Sequence, residues 1–180
     1  LASKMWLARL LVQIAEASLF AFLLLWFRNI DPAFAENRVA GIFTAVLSSA
    51  VLFALWFGSW SDKHGKPIQP LVLCAAVAAI GLGAMAASTG LVTAIFGYVV
   101  FGLASNIFLA LHSSQTLRVL PNPDRRGRDL GIFNLTNTVP SLIMPWLTLA
   151  LVPLYGFGAL FTVLALLALA AALLLARIAE

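Results

Sequence analysis

The chain has 180 residues, 62% of them hydrophobic and only 10% charged, with a mean hydropathy of +1.01, and this composition excludes a soluble globular domain. The formal net charge of +4 does not signal nucleic acid, because the basic residues gather in the gaps between apolar runs, as membrane topology requires. The single cysteine, Cys74, lies within an apolar run, which leaves no disulfide framework and no paired thiol for a metal or redox site.

Six segments are long enough to cross a bilayer as helices, a task that takes roughly 20 apolar residues. They run from Met5 to Arg28, Val39 to Trp60, Gln69 to Ser88, Leu91 to Leu111, Leu130 to Val152 and Gly156 to Ala176. Open sheet edges cannot face lipid, so the spans are expected to be helical and the fold class is all-α integral membrane. The chain opens Leu1-Ala2-Ser3-Lys4 without an initiator Met, and its first apolar run is too long and too polar for a signal peptide. The sequence therefore reads as a fragment.

The first span carries Gln13 and Glu16, and Arg9, Gln13, Glu16 and Phe20 share one helical face at spacings of 4, 3 and 4. An ionisable carboxylate in mid-span is costly and normally faces protein or water. Glu16 is thus a candidate substrate contact or protonatable coupling site, against the alternative of a structural pair within the bundle with Arg9 snorkelling to the surface. The second span holds Thr44, Ser48 and Ser49, and the fourth holds Ser105 and Asn106 with His112 at its end. A solvated histidine is ordinary at such an end, so proton relay by His112 is the weaker reading. In the fifth span Asn134, Asn137 or Thr138, and Ser141 recur at helical spacing beside Pro140 and Pro145. Pro140 denies the carbonyl of Thr136 its helical partner, which suits either a cavity wall with a flexible point or polar glue between helices. The third and sixth spans are almost free of polar groups and are expected to sit outside the other four, against lipid.

Between the second and third spans lies Gly58-Ser-Trp-Ser-Asp-Lys-His-Gly-Lys-Pro67, a charged turn in which Gly58 and Gly65 are expected to supply backbone freedom and Asp62 sits among Lys63, His64 and Lys66. Any turn at a membrane surface collects Gly and Lys, so the bland reading is a topological turn. The spacing of Gly58, Asp62, Lys63, Gly65 and Lys66 resembles the loop signature of the major facilitator superfamily, where it joins the second and third spans of a six-span half. The sequence departs from that pattern at Pro67, where relatives continue with another basic residue. Arg128-Asp-Leu-Gly-Ile-Phe-Asn-Leu-Thr-Asn-Thr-Val-Pro140 resembles the start of the fifth span in the C-terminal half of sugar-type carriers of the same superfamily.

The resemblance implies a secondary transporter that moves a small polar solute by alternating access, with sugars and proton symport in view and drug or metabolite efflux as the alternative. It implies twice as many spans, hence a further six-span half, expected N-terminal to Leu1. It also implies a gating role for the loop carboxylate, with Asp62 meeting a helix N-terminus of the other half. Arg118, at the end of the fourth span, is a second expected partner of Asp62. The candidate substrate or coupling residues are Gln13, Glu16, Asn106, Asn134, Asn137 and Ser141, and the candidate gating residues are Gly58, Asp62, Lys63, Gly65, Lys66 and Arg118. No cofactor is expected.

Two units, roughly Leu1 to Thr89 and Gly90 to Glu180, each contain three spans. Three is odd, so the second unit enters from the opposite side, and the six spans read as two inverted three-helix repeats. Other classes fit poorly. A hydrolase lacks a serine and histidine placed together at membrane depth, two His and one Cys are too scattered for a metal, and a non-transporting scaffold leaves the polar spans without a purpose.

Orientation follows from Lys and Arg. With the first span starting in the cytoplasm, nine of the eleven basic residues fall inside and only Arg28 and Arg38 outside, which puts both termini in the cytoplasm of a multi-pass protein of the plasma (inner) membrane. Trp6, Trp26, Trp56 and Trp60 lie near span ends and Tyr155 in the last external turn, where amphipathic rings prefer the headgroup layer. The basic run Arg125, Arg126 and Arg128 is chiefly topological, with lipid headgroup contact as a secondary role. Cysteines introduced at Asn37 and at Asn122 are expected to react with impermeant thiol reagents from opposite sides of the membrane. Labelling from one side would break the six-span arrangement.

Overall fold

The computed structural model describes residues 2–119 and 123–179, and within them all side chains except those of residues 2, 116–119, 123, 126, 133 and 179. Asn122 and the side chain of Arg118 therefore lie outside the described part. Six helices account for nearly all of it: α1 (Ala2–Ile30), α2 (Glu36–His64), α3 (Gln69–Ala86), α4 (Leu91–Val119), α5 (Arg126–Tyr155) and α6 (Phe157–Ala179), with one 3-10 turn at Pro123–Arg125. All six are long and apolar enough to cross a membrane. Each coincides with one of the six apolar segments and most overrun it. A helix of 29 residues is about 43 Å long against a hydrocarbon core of about 30 Å, so the charged ends of α2 and α4 continue as helix into the headgroup layer.

The helices alternate in direction. Met5 and Ala8 of α1, Leu71 and Cys74 of α3, Phe108 and Leu111 of α4, and Ala171 and Leu175 of α6 form one buried cluster at the end that carries the termini. Leu19, Leu23 and Phe27 of α1 join Leu82 and Met85 of α3, Phe101 of α4 and Leu160 and Leu164 of α6 in a second cluster at the other end. There Trp26 meets Phe161 edge-on at 4.6 Å, and Arg28 of α1 reaches the carbonyl of Phe34 at 3.0 Å, fastening the turn that leads into α2.

The third and sixth helices are not the outer ones in this chain. α3 packs most extensively on α6 and α4, while α2 and α5 stand at the flanks, with 17% and 11% of their apolar windows buried against 39–56% for the other four. The physical reason lies in the small residues of these two helices. Lipid tails are as apolar as Leu, so helices in a bilayer associate where small side chains let backbones approach. Ala75, Ala78 and Gly81 of α3, and Ala168, Ala171 and Ala172 of α6, are all buried.

The tightest approach is the α3–α4 crossing at two glycines. A Cβ on Gly81 would lie 2.6 Å from the backbone nitrogen of Phe101, and one on Gly97 would lie 3.0 Å from that of Met85. Backbone cannot yield as a flexible side chain would, so any side chain at Gly81 must drive the two helices apart. Gly83, two residues on, has open space at its Cβ position. Gly81→Val is accordingly expected to destabilise the protein by about 1–3 kcal/mol, and Gly83→Ala to be neutral or mildly stabilising. Thermal unfolding in detergent measures both, and equal melting temperatures for the two variants would contradict the close crossing.

Candidate functional site

Arg9 lies in the first third of α1, where the apolar run requires a helix and the surrounding side chains are Leu, Val and Ala. Its guanidinium does not snorkel outward. It turns across the bundle, donating from Nε to Thr136 Oγ1 of α5 at 3.0 Å and from Nη1 to Leu109 O and Ser113 Oγ of α4 at 3.2 and 3.0 Å. Nη2 donates to Asn137 Oδ1 of α5 at 3.4 Å. One planar fork therefore joins three helices, which its rigid set of five donors suits better than a lysine would. Trp6, one turn earlier, donates from Nε1 to the carbonyl of Ile132 at 2.8 Å and fixes α5 at a second point.

The α5 side of this layer is continuous. Asn137 Nδ2 donates to Asn134 Oδ1 at 3.0 Å, and Thr138 Oγ1 donates to the Asn134 carbonyl at 3.4 Å. α5 stays helical through Pro140, Pro145 and Pro153. Pro140 has no N–H to give the Thr136 carbonyl, and Thr136, fully buried, is the residue at which α5 meets Arg9.

Glu16 stands seven residues further along the same face, about 10 Å of helical rise. Its carboxylate accepts a hydrogen bond from Ser105 Oγ of α4 at 2.8 Å. Asn106 turns back on its own helix, donating to the Gly102 carbonyl at 2.7 Å. Gly102 is needed there for space, because a Cβ would lie 2.9 Å from Val46 of α2 and 3.5 Å from the Tyr98 hydroxyl. Between the two charged residues sits Gln13, whose Oε1 is buried without a hydrogen-bond partner among the described residues. Ser141 is exposed on α5.

Of the candidate solute residues, Asn134 and Asn137 thus join one layer around Arg9, Glu16 forms a second with Ser105, and Gln13 lies between. Asn106 and Ser141 stand apart from both. Arg9, Ser113 and Thr136 are the members that sequence reasoning undervalued. The signal available was Arg9 itself, a permanently charged group inside an apolar run on the face of Gln13 and Glu16.

His112 is fully buried, with Nε2 2.7 Å from the Met5 carbonyl and its ring 5.5 Å from that of Phe108. This corrects the expectation of a solvated histidine, because α1 covers the end of α4 at this level.

The charged motif is the last turn of α2 and its cap. Asp62 and Lys63 are helical and exposed, and the helix stops at Gly65, whose φ of 64° is the left-handed value that glycine adopts without cost. Lys66 N–H donates to the Ser61 carbonyl at 3.2 Å and Ser61 Oγ to the Lys66 carbonyl at 3.1 Å, while His64 stacks on Trp60 at 4.5 Å. Gly58 needs no backbone freedom, since it lies within α2 and its Cβ would make an ordinary 3.6 Å contact with Leu111. It instead borders a groove of about 760 Å³ between α2 and α4, lined also by Leu55, Asp62, Lys63 and Ser114. Arg118, the expected partner of Asp62, lies outside the described side chains. Among the described residues no three His, Cys, Asp or Glu side chains are grouped as a metal site would need.

The family model described as Major Facilitator Superfamily matches residues 5–179, the whole six-helix unit. The chain belongs to the major facilitator superfamily. No curated protein and no solved structure matches it. As a transporter of that superfamily it places polar groups on α1, α4 and α5 and packs α3 and α6 with little polar content behind them.

In this facilitator His112 ties α4 to α1, and its removal takes away both a buried hydrogen bond and a ring. His112→Ala is expected to lower stability by about 2–4 kcal/mol while leaving the pH profile of transport unchanged in shape. Unfolding temperature and pH-dependent uptake check this. A displaced profile with intact stability would assign the residue a proton-relay role instead.

Proposed function

We propose that this chain is one six-span half of a carrier that moves a small polar solute of the sugar class by alternating access, with proton symport through Glu16. The observation that carries the reading is the Glu16 carboxylate held by Ser105 between α1 and α4, in the middle of a helix whose buried residues are mostly apolar. A carboxylate kept at that depth is costly, and a group that takes up and releases a proton with the solute gives the cost a use. Gln13, Asn134, Asn137, Asn106 and Ser141 supply amide and hydroxyl groups suited to solute hydroxyls. A second six-span half preceding Leu1 packs against the flanking helices α2 and α5 in this reading. Both termini face the cytoplasm of the inner membrane in this reading, following the excess of Lys and Arg at that end.

The last turn of α2 acts as the gate. Asp62 and Lys63 border the open groove between α2 and α4, and a charge at such a helix end biases one of two arrangements without touching the solute.

Glu16→Gln tests the coupling assignment. It is expected to reduce concentrative uptake at least tenfold while counterflow exchange stays within about twofold, because exchange proceeds without net proton movement. Equal retention of both activities would make Glu16 a structural residue.

A further inference from the structure

Arg9 is a permanent positive charge inside a membrane span, and every one of its partners is neutral: two hydroxyls, a backbone carbonyl and an amide oxygen. It makes no ion pair with any described residue. The acidic group on its own face, Glu16, is turned to Ser105 about 10 Å further along the helix. Neutral acceptors satisfy guanidinium hydrogens but leave the charge of this half-buried group uncompensated, and a charge within a membrane span is normally paired.

The least satisfied part of the guanidinium is Nη2. It has two hydrogens and one long bond, 3.4 Å to Asn137, on the exposed side of the layer. Gln13, its neighbour one turn along the same face, offers a buried Oε1 that a hydroxyl donor would satisfy. On the α5 side of the same layer Asn134 and Thr138 are exposed. The chemistry that answers all of these together is one negative charge for Arg9 and hydroxyl groups for the amides.

We infer that the solute is a hydroxylated monocarboxylate, a sugar acid, whose carboxylate pairs with Arg9. The inference rests on the transport reading above and makes its substrate anionic. Arg9 then has two states. With solute absent, its fork holds α1, α4 and α5 together through neutral bonds, and with solute present Nη2 leaves Asn137 for the carboxylate.

The test compares glucuronate with glucose, two solutes that share a ring and differ at one carbon in carrying a carboxylate or a hydroxymethyl group. Binding to the purified full chain is measured by equilibrium titration, and uptake in proteoliposomes. The wild type is expected to bind glucuronate at least tenfold more tightly than glucose. Arg9→Gln is expected to bring the two within about twofold of each other by weakening glucuronate alone. Should Arg9→Gln not fold, Arg9→Lys keeps the charge without the fork and is expected to retain the preference at reduced strength.

Glucose bound as tightly as glucuronate by the wild type would overturn the inference. So would an Arg9→Gln variant with undiminished preference and a lowered melting temperature, which would leave Arg9 as a structural fork only. The transport reading fails separately, if glucuronate binds in an Arg9-dependent way and neither solute is taken up.

Discussion

In a bilayer the hydrophobic effect that drives helices together in water is absent, so helix association rests on how closely backbones approach and on which polar groups meet. The α3–α4 crossing answers that constraint most directly. Gly81 and Gly97 leave no room for a Cβ, and the contact commits α3 and α4 to one geometry. α6 then packs on α3, with its Ala168, Ala171 and Ala172 buried, and α1 completes a four-helix centre with both buried clusters. The α4 residues that reach α1, Ser105, Leu109, His112 and Ser113, all lie on a helix whose position is set by those glycines.

The flanking helices are held by different means. α5 buries little apolar surface and carries three prolines, so packing alone holds it weakly. Trp6 and Arg9 compensate by bonding to Ile132, Thr136 and Asn137 across 126 to 128 residues of chain. α2 is tied to α1 at one end by the Arg28–Glu36 ion pair, 3.8 Å long and exposed. It rests on α4 through Val46 against Gly102 and through the rings of Phe43 and Tyr98, 5.7 Å apart and edge-on. One flank is thus attached by directional hydrogen bonds, and the other by apolar contact together with an exposed ion pair at its end.

The six spans were legible in the sequence because membrane physics leaves few choices: a long apolar run must be a helix, and its backbone satisfies itself. Gly65 was legible for a similar reason, since a charged helix end followed by glycine has a specific cap geometry. Neighbour relations were not. An Ala-rich face is equally compatible with lipid and with a close helix, so the hydropathy of α3 and α6 did not reveal that they meet each other. His112 and Gly58 failed in the same way, because burial by α1 and inclusion in α2 depend on where other helices end. For Arg9 the helical spacing revealed the face it shares with Gln13 and Glu16 but not the depth of α5 opposite, and it is Thr136 and Asn137 at that depth that turn the side chain inward.

That face of α1 is the seam of the unit, and its partners change along its length. At the end with the termini Arg9 grips α4 and α5. Midway Glu16 meets Ser105 of α4, and beyond it Phe20, 73% exposed, lies against Phe43 of α2 with ring centroids 5.8 Å apart. One helical stripe therefore touches both flanking helices and the central one, with its two charged groups about 10 Å apart and an amide between them. A change of charge or partner on this stripe reaches α5 and α4 through the hydrogen bonds of Arg9 and Glu16 and meets α2 at the tilted Phe20–Phe43 ring contact. The closest backbone crossing of the unit thus lies between α3 and α4, and its directional polar contacts lie along one face of α1.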